Sequence, residues 1–219
     1  MANGPPTLAR VSVGTSGWSY PTWRPGFYPA GLDPARFLDF YAQRFRTVEL
    51  NTTGYRLPAE QQFRRWAEQA PDGFEFAPKL PGQRLRGLDV FESRLRMLGD
   101  RLGPVRVALT SARDEGALEL LLGSLDPGLR LAFDLSHPSW DGVEARLAAA
   151  GATRVNDLDH PAPFRYLRLR EPPYDDAALQ ALAERIRATQ EPVYVYFRHE
   201  AEPSAPAYAQ RLLALLTSA

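Results

Sequence analysis

The sequence predicts an α/β protein of the TIM-type (β/α)8 barrel class. Three observations carry that expectation. Short β-branched or aromatic runs alternate with helical patterns along the whole chain, which implies a parallel sheet. About eight such runs occur. Within them, apolar and polar residues alternate, and the polar ones include charges of both signs. A chain of 219 residues with 44% hydrophobic side chains is long enough to fill one full-sized core.

Taken in order, strands are expected near residues 11–15, 47–51, 74–77, 105–110, 131–135, 153–156, 165–169 and 193–198. Helix starts are marked by residues that satisfy free backbone N–H groups or suit a first turn. Asp33 before Pro34 opens a helix to about Phe45, and Pro58 precedes one to about Gln69. Asp89, Asp141, Asp175 and Ser204 begin others, with Gly151 closing the helix that starts at Asp141. The stretch from Asn156 to Phe164 is too short and too proline-rich for the helical crossover between adjacent parallel strands, so the barrel is expected to be irregular there. Residues 9–219 read as one domain and residues 1–8 as a flexible N-terminus. An open doubly wound sheet is the alternative. Gly14-Thr-Ser-Gly17 has neither the glycine spacing nor the following helix of a dinucleotide-binding turn.

Successive side chains of a strand point to opposite faces. One face carries Val48 and Leu50, Phe74 and Phe76, Val105, Val107 and Leu109, Phe133 and Leu135, Leu167 and Leu169, and Val193, Val195 and Phe197, so it belongs under the helices. The other carries Glu49 and Asn51, Glu75 and Lys79, Arg106, Asp134 and Ser136, Arg154 and Asn156, Arg168 and Arg170, and Tyr194, Tyr196 and Arg198. That face should line the barrel interior, where charges persist only in pairs. For Glu75, Arg106 and Arg154 a structural ion-pair network is the expected role; groups at strand C-terminal ends are the candidates for chemistry.

The 26 basic and 26 acidic residues cancel, and the isoelectric point is about 6.9. No whole-molecule field draws the chain to nucleic acid or to an anionic membrane, so any anion site must be local. The chain has no cysteine, which excludes disulfides, thiolate metal sites and thiol nucleophiles. The cytoplasm is the expected location. Residues 1–9 lack the features of a signal peptide, and no apolar run approaches the roughly 20 residues of a membrane helix. Lys79 is the single lysine.

Several ordered motifs are similar to those of the YecE-like family, a domain of unknown function: Gly14-Thr-Ser-Gly-Trp-Ser-Tyr20 with Trp23 and Phe27-Tyr-Pro29, and Val48-Glu-Leu-Asn51 with Tyr55-Arg56. The similarity continues through Trp66, Phe76-Ala-Pro-Lys79, His137-Pro-Ser-Trp140, Arg168-Leu-Arg170 with Tyr174, and Val193-Tyr-Val-Tyr-Phe197. The resemblance implies the family's barrel fold and a pocket, with no established reaction. The chain departs from the pattern at Asp134-Leu-Ser-His137, where the family usually has Glu-Phe-Arg-His. Gly54 stands where a Phe is usual, Arg198-His199 replaces Asn-Asn, and no Thr-His follows the lysine.

The expected mouth therefore assembles Ser16, Trp18, Tyr20, Glu49, Asn51, Arg56, Lys79, Asp134, His137, Trp140, Asp157, Arg168, Arg170, Arg198 and His199. Arginine forks and a lysine point charge suit phosphate or carboxylate. Trp18, Tyr20, Tyr55 and Trp140 suit stacking on a base or sugar, or else packing under the rim loops. Trp66, at helical spacing with Phe63, reads as core. Glu49 or Asp134 is the candidate general base, with His137 or Lys79 as acid or electrostatic stabiliser. A divalent metal would have to be held among Glu49, Asp134, Asp157, Asp159, His137, His160 and His199, but none of these shares a dedicated ligand spacing, and His160 reads as an exposed turn residue. Ser16 lacks the GxSxG surroundings of a serine nucleophile. Two functions follow: a hydrolase or lyase acting on a phosphate-bearing or other anionic compound, nucleic-acid phosphodiester included, or a protein that binds a nucleotide or single-stranded nucleic acid without turning it over. The substrate and the oligomeric state are not written in these motifs.

Overall fold

The computed structural model describes residues 10–81, 87–198 and 202–218. The flexible N-terminus expected over residues 1–8, and His199, lie outside the described residues. Within them the chain alternates strands and helices: β1 (Val11–Thr15), α1 (Phe37–Ala42), β2 (Thr47–Leu50), α2 (Glu60–Gln69), β3 (Glu75–Pro81), α3 (Leu88–Arg96) and β4 (Val105–Leu109). It continues through α4 (Glu115–Ser124), β5 (Leu131–Leu135), α5 (Glu144–Ala149), β6 (Thr153–Arg154), β7 (Arg165–Leu169), α6 (Asp176–Ala188), β8 (Val193–Phe197) and α7 (Ser204–Thr217). All pairings are parallel, in a three-stranded sheet ordered β1-β8-β7 and a five-stranded sheet ordered β2-β3-β4-β5-β6.

The alternation within strands decides which face is covered. Val48, Leu50, Phe76, Val105, Val107, Phe133, Val193 and Val195 enter the main apolar cluster with the inner faces of the helices. A one-residue slip of β2 would trade Leu50 for Glu49 on that face, losing about 1.5–3 kcal/mol of apolar burial and leaving a charge without partners. The opposite faces of both sheets meet in a second, smaller cluster of Ala77, Ala132, Val155, Phe164, Tyr166, Tyr194 and Tyr196. Two of these residues, Ala77 and Ala132, lie in strand register with Glu49 and Arg106.

Ladder pairing stops at two seams, and side chains span both. Between β1 and β2, Ser16 bridges to Glu49, and the Gly17 N–H donates to the Glu49 carbonyl at 2.9 Å. The Tyr41 hydroxyl lies in the same seam, accepting from the Thr15 N–H at 2.8 Å and donating to the Thr47 carbonyl at 3.1 Å. A Cβ at Gly14 would sit 2.1 Å from that carbonyl oxygen, so only glycine allows the approach. Between β6 and β7, the Asn156 N–H donates to the Tyr166 carbonyl at 2.9 Å. The Asn156 side chain accepts from the Arg168 N–H at 2.6 Å and donates to its carbonyl at 3.1 Å, doing for β7 what a neighbouring strand would do. Its φ of 65° is the only positive value among the described non-glycine residues, a conformation that asparagine tolerates better than most.

Four local expectations change. The helix expected from Asp33 to Phe45 is a 3-10 turn, Pro34–Arg36, capped by Asp33, followed by the six-residue α1. The helix expected from Asp141 starts at Glu144, because His137 and Pro138 first nucleate a separate 3-10 turn, Pro138–Trp140. Helix α4 was not anticipated, although Asp114 accepts from the Ala117 N–H and Leu118 and Leu121 are buried beneath it. Strand β3 runs four residues past its expected end, so Lys79 lies within the strand, in register with Arg106 of β4. The connection after β6 has no helix, as its prolines require.

Candidate functional site

Glu49 organises the interior. It is fully buried, and every lone pair that matters is occupied. Its Oε1 accepts from the Ser16 hydroxyl at 2.5 Å and from Arg168 Nε at 3.0 Å. Its Oε2 accepts from the Tyr166 hydroxyl at 2.8 Å and pairs with Arg106 Nε at 2.7 Å. Burial works to raise the Glu49 pKa, but the Arg106 and Arg168 guanidiniums, helped by the Ser16 hydroxyl, outweigh it and hold the carboxyl down at about 2. The strand neighbours explain how such side chains fit: Ala77 is in register with Glu49, Ala132 with Arg106 and Ala108 with Asp134. Each of these charged groups thus has a methyl on one neighbouring strand.

Arg106 ties this centre to the strand ends. Its Nη1 donates to Asp134 Oδ2 at 2.6 Å and its Nη2 to Asn51 Oδ1 at 3.1 Å, and Arg170 also pairs with Asp134. Lys79 completes the group differently. Among the described residues no carboxylate lies within ion-pair distance of its ammonium, which sits 4.6 Å from the ring centroid of the exposed Tyr55. Burial and the Arg106 guanidinium lower its pKa below the ordinary value, against the pull of Glu49. Gly54 makes room for it, since a Cβ there would meet the Lys79 Cδ at 2.5 Å. Four cations (Arg106, Arg168, Arg170 and Lys79) therefore gather around two carboxylates (Glu49 and Asp134).

Among the described residues, three cavities lie around this group. One of about 380 Å³ is lined by Trp18, Tyr20, Glu49, Asn51, Gln62 and Trp66 among others. An outer one of about 860 Å³ includes Tyr55, Arg56, Gln62, Val90 and Arg94. A third, about 340 Å³, is lined by Asp134, Arg154, Asn156, Asp157, His160 and Arg170 among others.

The expected mouth residues fall into groups. Ser16, Glu49, Asn51, Asp134, Arg168 and Arg170 form one hydrogen-bonded network, and Lys79 stands beside it. Trp18 and Tyr20 line the adjoining cavity and Arg56 the outer one. Arg198 is exposed beyond β8, its N–H donating to the Leu169 carbonyl. His137 is exposed and spends its Nδ1 on the Ser139 backbone N–H and hydroxyl, capping a turn; among the described residues no acidic group joins it. Trp140 is wholly buried, with its indole N–H donating to the Ser111 carbonyl, so its ring offers no stacking face. Trp66 is half-buried, packing against the core on one side and walling a cavity on the other. Tyr166 was missed, although it shares a strand face with Arg168. Arg106, expected in a structural ion-pair network, joins both carboxylates. Glu75 and Arg154 do form structural pairs, with Arg130 and with Glu144 and Asp141.

Of the residues considered for a metal, Glu49 and Asp134 are taken up by guanidiniums, and Asp159 pairs with Arg185 at the surface. Asp157 and the exposed His160 do come together, with Glu144, their donor atoms within 4.8 Å of one another. Arg154 already neutralises Glu144, and Asp157 accepts the backbone N–H groups of Asp159 and His160 as well as the His160 ring nitrogen. This is the hydrogen bonding of a closed turn.

Parallel α/β sheets around a buried, arginine-neutralised glutamate define the class of protein. Residues 12–219 match the model of the family described as "Protein of unknown function DUF72", and the chain belongs to that family. It is 32% identical over 142 residues to the UPF0759 protein YecE of Escherichia coli, a match covering 59% of this chain and 50% of that protein; the chain thus matches about half the length of its curated relatives. Two solved structures share the fold. A DUF72 family protein from Thermotoga maritima has a TM-score of 0.80 at 24% identity, covering 94% of this chain and 98% of that one. One from Enterococcus faecalis has a TM-score of 0.72 at 14% identity, covering 95% and 98%. No helix among the described residues is long and apolar enough to cross a membrane.

Proposed function

We propose that residues 9–219 form one irregular (β/α)8 barrel whose mouth binds a phosphate-bearing or other anionic ligand, and that the protein is an enzyme of the hydrolase or lyase kind acting on it. The hydrogen bonds across both seams support the barrel reading. The observation that carries the ligand class is the excess of cations over carboxylates around Lys79, which alone in the group lacks an anionic partner among the described residues. An incoming phosphate or carboxylate supplies that partner, and a guanidinium fork and a point charge then share its oxygens. A nucleic-acid phosphodiester satisfies the same charge. The cysteine-free chain fits a reducing compartment such as the cytoplasm.

The roles of the candidate catalytic groups follow from their partners. At about 2, Glu49 is too weak a base near neutrality, and its lone pairs are spent on arginines, so it positions Arg106 and Arg168. Asp134 is held between Arg106 and Arg170. Lys79, whose pKa is moved toward neutrality, is the group fitted to give or take a proton at a leaving oxygen. The commitment of both carboxylates to arginines favours a second reading, binding without turnover. A panel of phosphomonoesters and phosphodiesters, incubated with and without divalent metals, separates the two. Release of phosphate or alcohol that Lys79→Ala abolishes supports the enzyme, and retention of intact ligand supports the binding protein.

A further inference from the structure

Beside the charged group, the cavity of about 380 Å³ has three aromatic walls. Trp18 and Trp66 meet at 80° with centroids 5.5 Å apart, and Phe76 backs both. Tyr20 makes the third wall. It folds back through Gly17, whose φ of 86° suits glycine and where a Cβ would come within 2.4 Å of the Tyr20 hydroxyl. That hydroxyl donates to the Ser16 carbonyl at 2.9 Å. Of the four tryptophans, Trp23 and Trp140 are wholly buried, so Trp18 and Trp66 alone present ring surface.

Resting on the anion reading above, we propose that this slot takes the base of a nucleoside monophosphate whose phosphate reaches Lys79. Three observations choose the base over other rings. The volume lies within the range of small-molecule pockets. The neutral polar groups at the slot include the amides of Asn51 and Gln62 and the hydroxyls of Ser19 and Thr52, which offer donors and acceptors together, as the edge of a heterocyclic base requires. The one carboxylate at the slot, Glu49, has both oxygens engaged by Ser16, Tyr166, Arg106 and Arg168, so nothing is left to grip the neighbouring hydroxyls of a sugar. The slot is linked to the anion site through Arg106. Glu49 and Asn51 line the slot and also hold Arg106, the strand neighbour of Lys79.

The test uses the full chain and four probes: adenosine monophosphate, adenosine, ribose 5-phosphate and glucose 6-phosphate. Binding is read by calorimetry and by quenching of tryptophan emission. The proposal expects the nucleotide to bind at least about ten-fold more tightly than ribose 5-phosphate and to quench emission. Trp66→Ala should remove about 5- to 100-fold of nucleotide affinity, the usual effect of deleting one stacking partner, and leave ribose 5-phosphate binding unchanged. Gln62→Ala, a half-buried position on the slot wall, should narrow the same preference and covers the case in which Trp66→Ala fails to fold. Equal affinity for nucleotide and ribose 5-phosphate, or tighter binding of glucose 6-phosphate, overturns the base slot while leaving the anion site standing. Binding of adenosine as tight as that of the nucleotide supports the slot and overturns the phosphate site. If none of the probes binds, both assignments fall.

Discussion

Glu49 carries more of the interior than any other side chain, because four other residues are oriented by its two oxygens. Replacing it with Gln keeps the volume and removes the charge, leaving Arg106 and Arg168 buried without their counter-ion. Urea denaturation should show a loss of about 3–5 kcal/mol, the usual effect of breaking a buried pair. The same group predicts acid sensitivity. Its pKa falls from the ordinary 4.5 to about 2 on folding, so the stability it contributes is fully present above about pH 4.5 and is lost as pH falls from there toward 2. Midpoints of urea unfolding followed across that window, in the wild type and in Glu49→Gln, should converge at low pH. Much of this was legible: the parity of Val48-Glu-Leu-Asn51 and Arg168-Leu-Arg170 is enough to turn Glu49 and Arg168 inward. Tyr166 obeyed the same parity and was overlooked, because a tyrosine among leucines reads as packing. Trp140 shows the converse, since a position just past a strand does not reveal which way the turn folds the ring. The isolation of Lys79 is a fact about its surroundings in space, and no spacing along the chain encodes it.

Gly54 links a residue to an element. Its φ is outside the left-handed region, so Gly54→Ala costs little backbone strain, and the added methyl must push the Lys79 stem away from the 3-10 turn Asn51–Gly54. The melting temperature should stay within a few degrees while affinity for phosphate drops about ten-fold; unchanged affinity would mean that Lys79 does not hold the anion. At the β6–β7 seam, Asn156→Ala removes two amide hydrogen bonds and places a Cβ-bearing residue with less tolerance at positive φ. It should destabilise the fold by about 2–4 kcal/mol. Thermal or urea unfolding of that variant measures whether the amide replaces a strand pairing; a loss below about 1 kcal/mol would show that it does not. The absence of a helical crossover there was readable from the prolines after His160. The repair by Asn156 was not, because a side-chain amide that imitates a backbone has no sequence signature. Helix α4 had its Asp114 cap and its leucines in plain view. Strand β3 outran its expected end because Pro78, tolerated where no ladder N–H is needed, reads as a terminator.

At the scale of the molecule, 26 basic and 26 acidic residues cancel, and yet Arg106, Arg168, Arg170 and Lys79 gather around Glu49 and Asp134. Binding there should depend on pH through Lys79. The ammonium is required, so affinity holds below the Lys79 pKa and falls as pH rises through it, in a range below the ordinary 10.5 because burial and Arg106 have lowered that pKa. It should also weaken with salt, though less steeply than for exposed charges, since Arg106 and Arg168 are buried. The most direct measurement is calorimetric titration of inorganic phosphate into the full chain near pH 7, at low and at high ionic strength, for the wild type and for Lys79→Ala. The account predicts one site per chain at low salt, weaker at high salt, and at least about ten-fold weaker in Lys79→Ala. Absence of binding at low ionic strength, or binding indifferent to the loss of Lys79, would contradict it and leave the cations as partners of Glu49 and Asp134 alone.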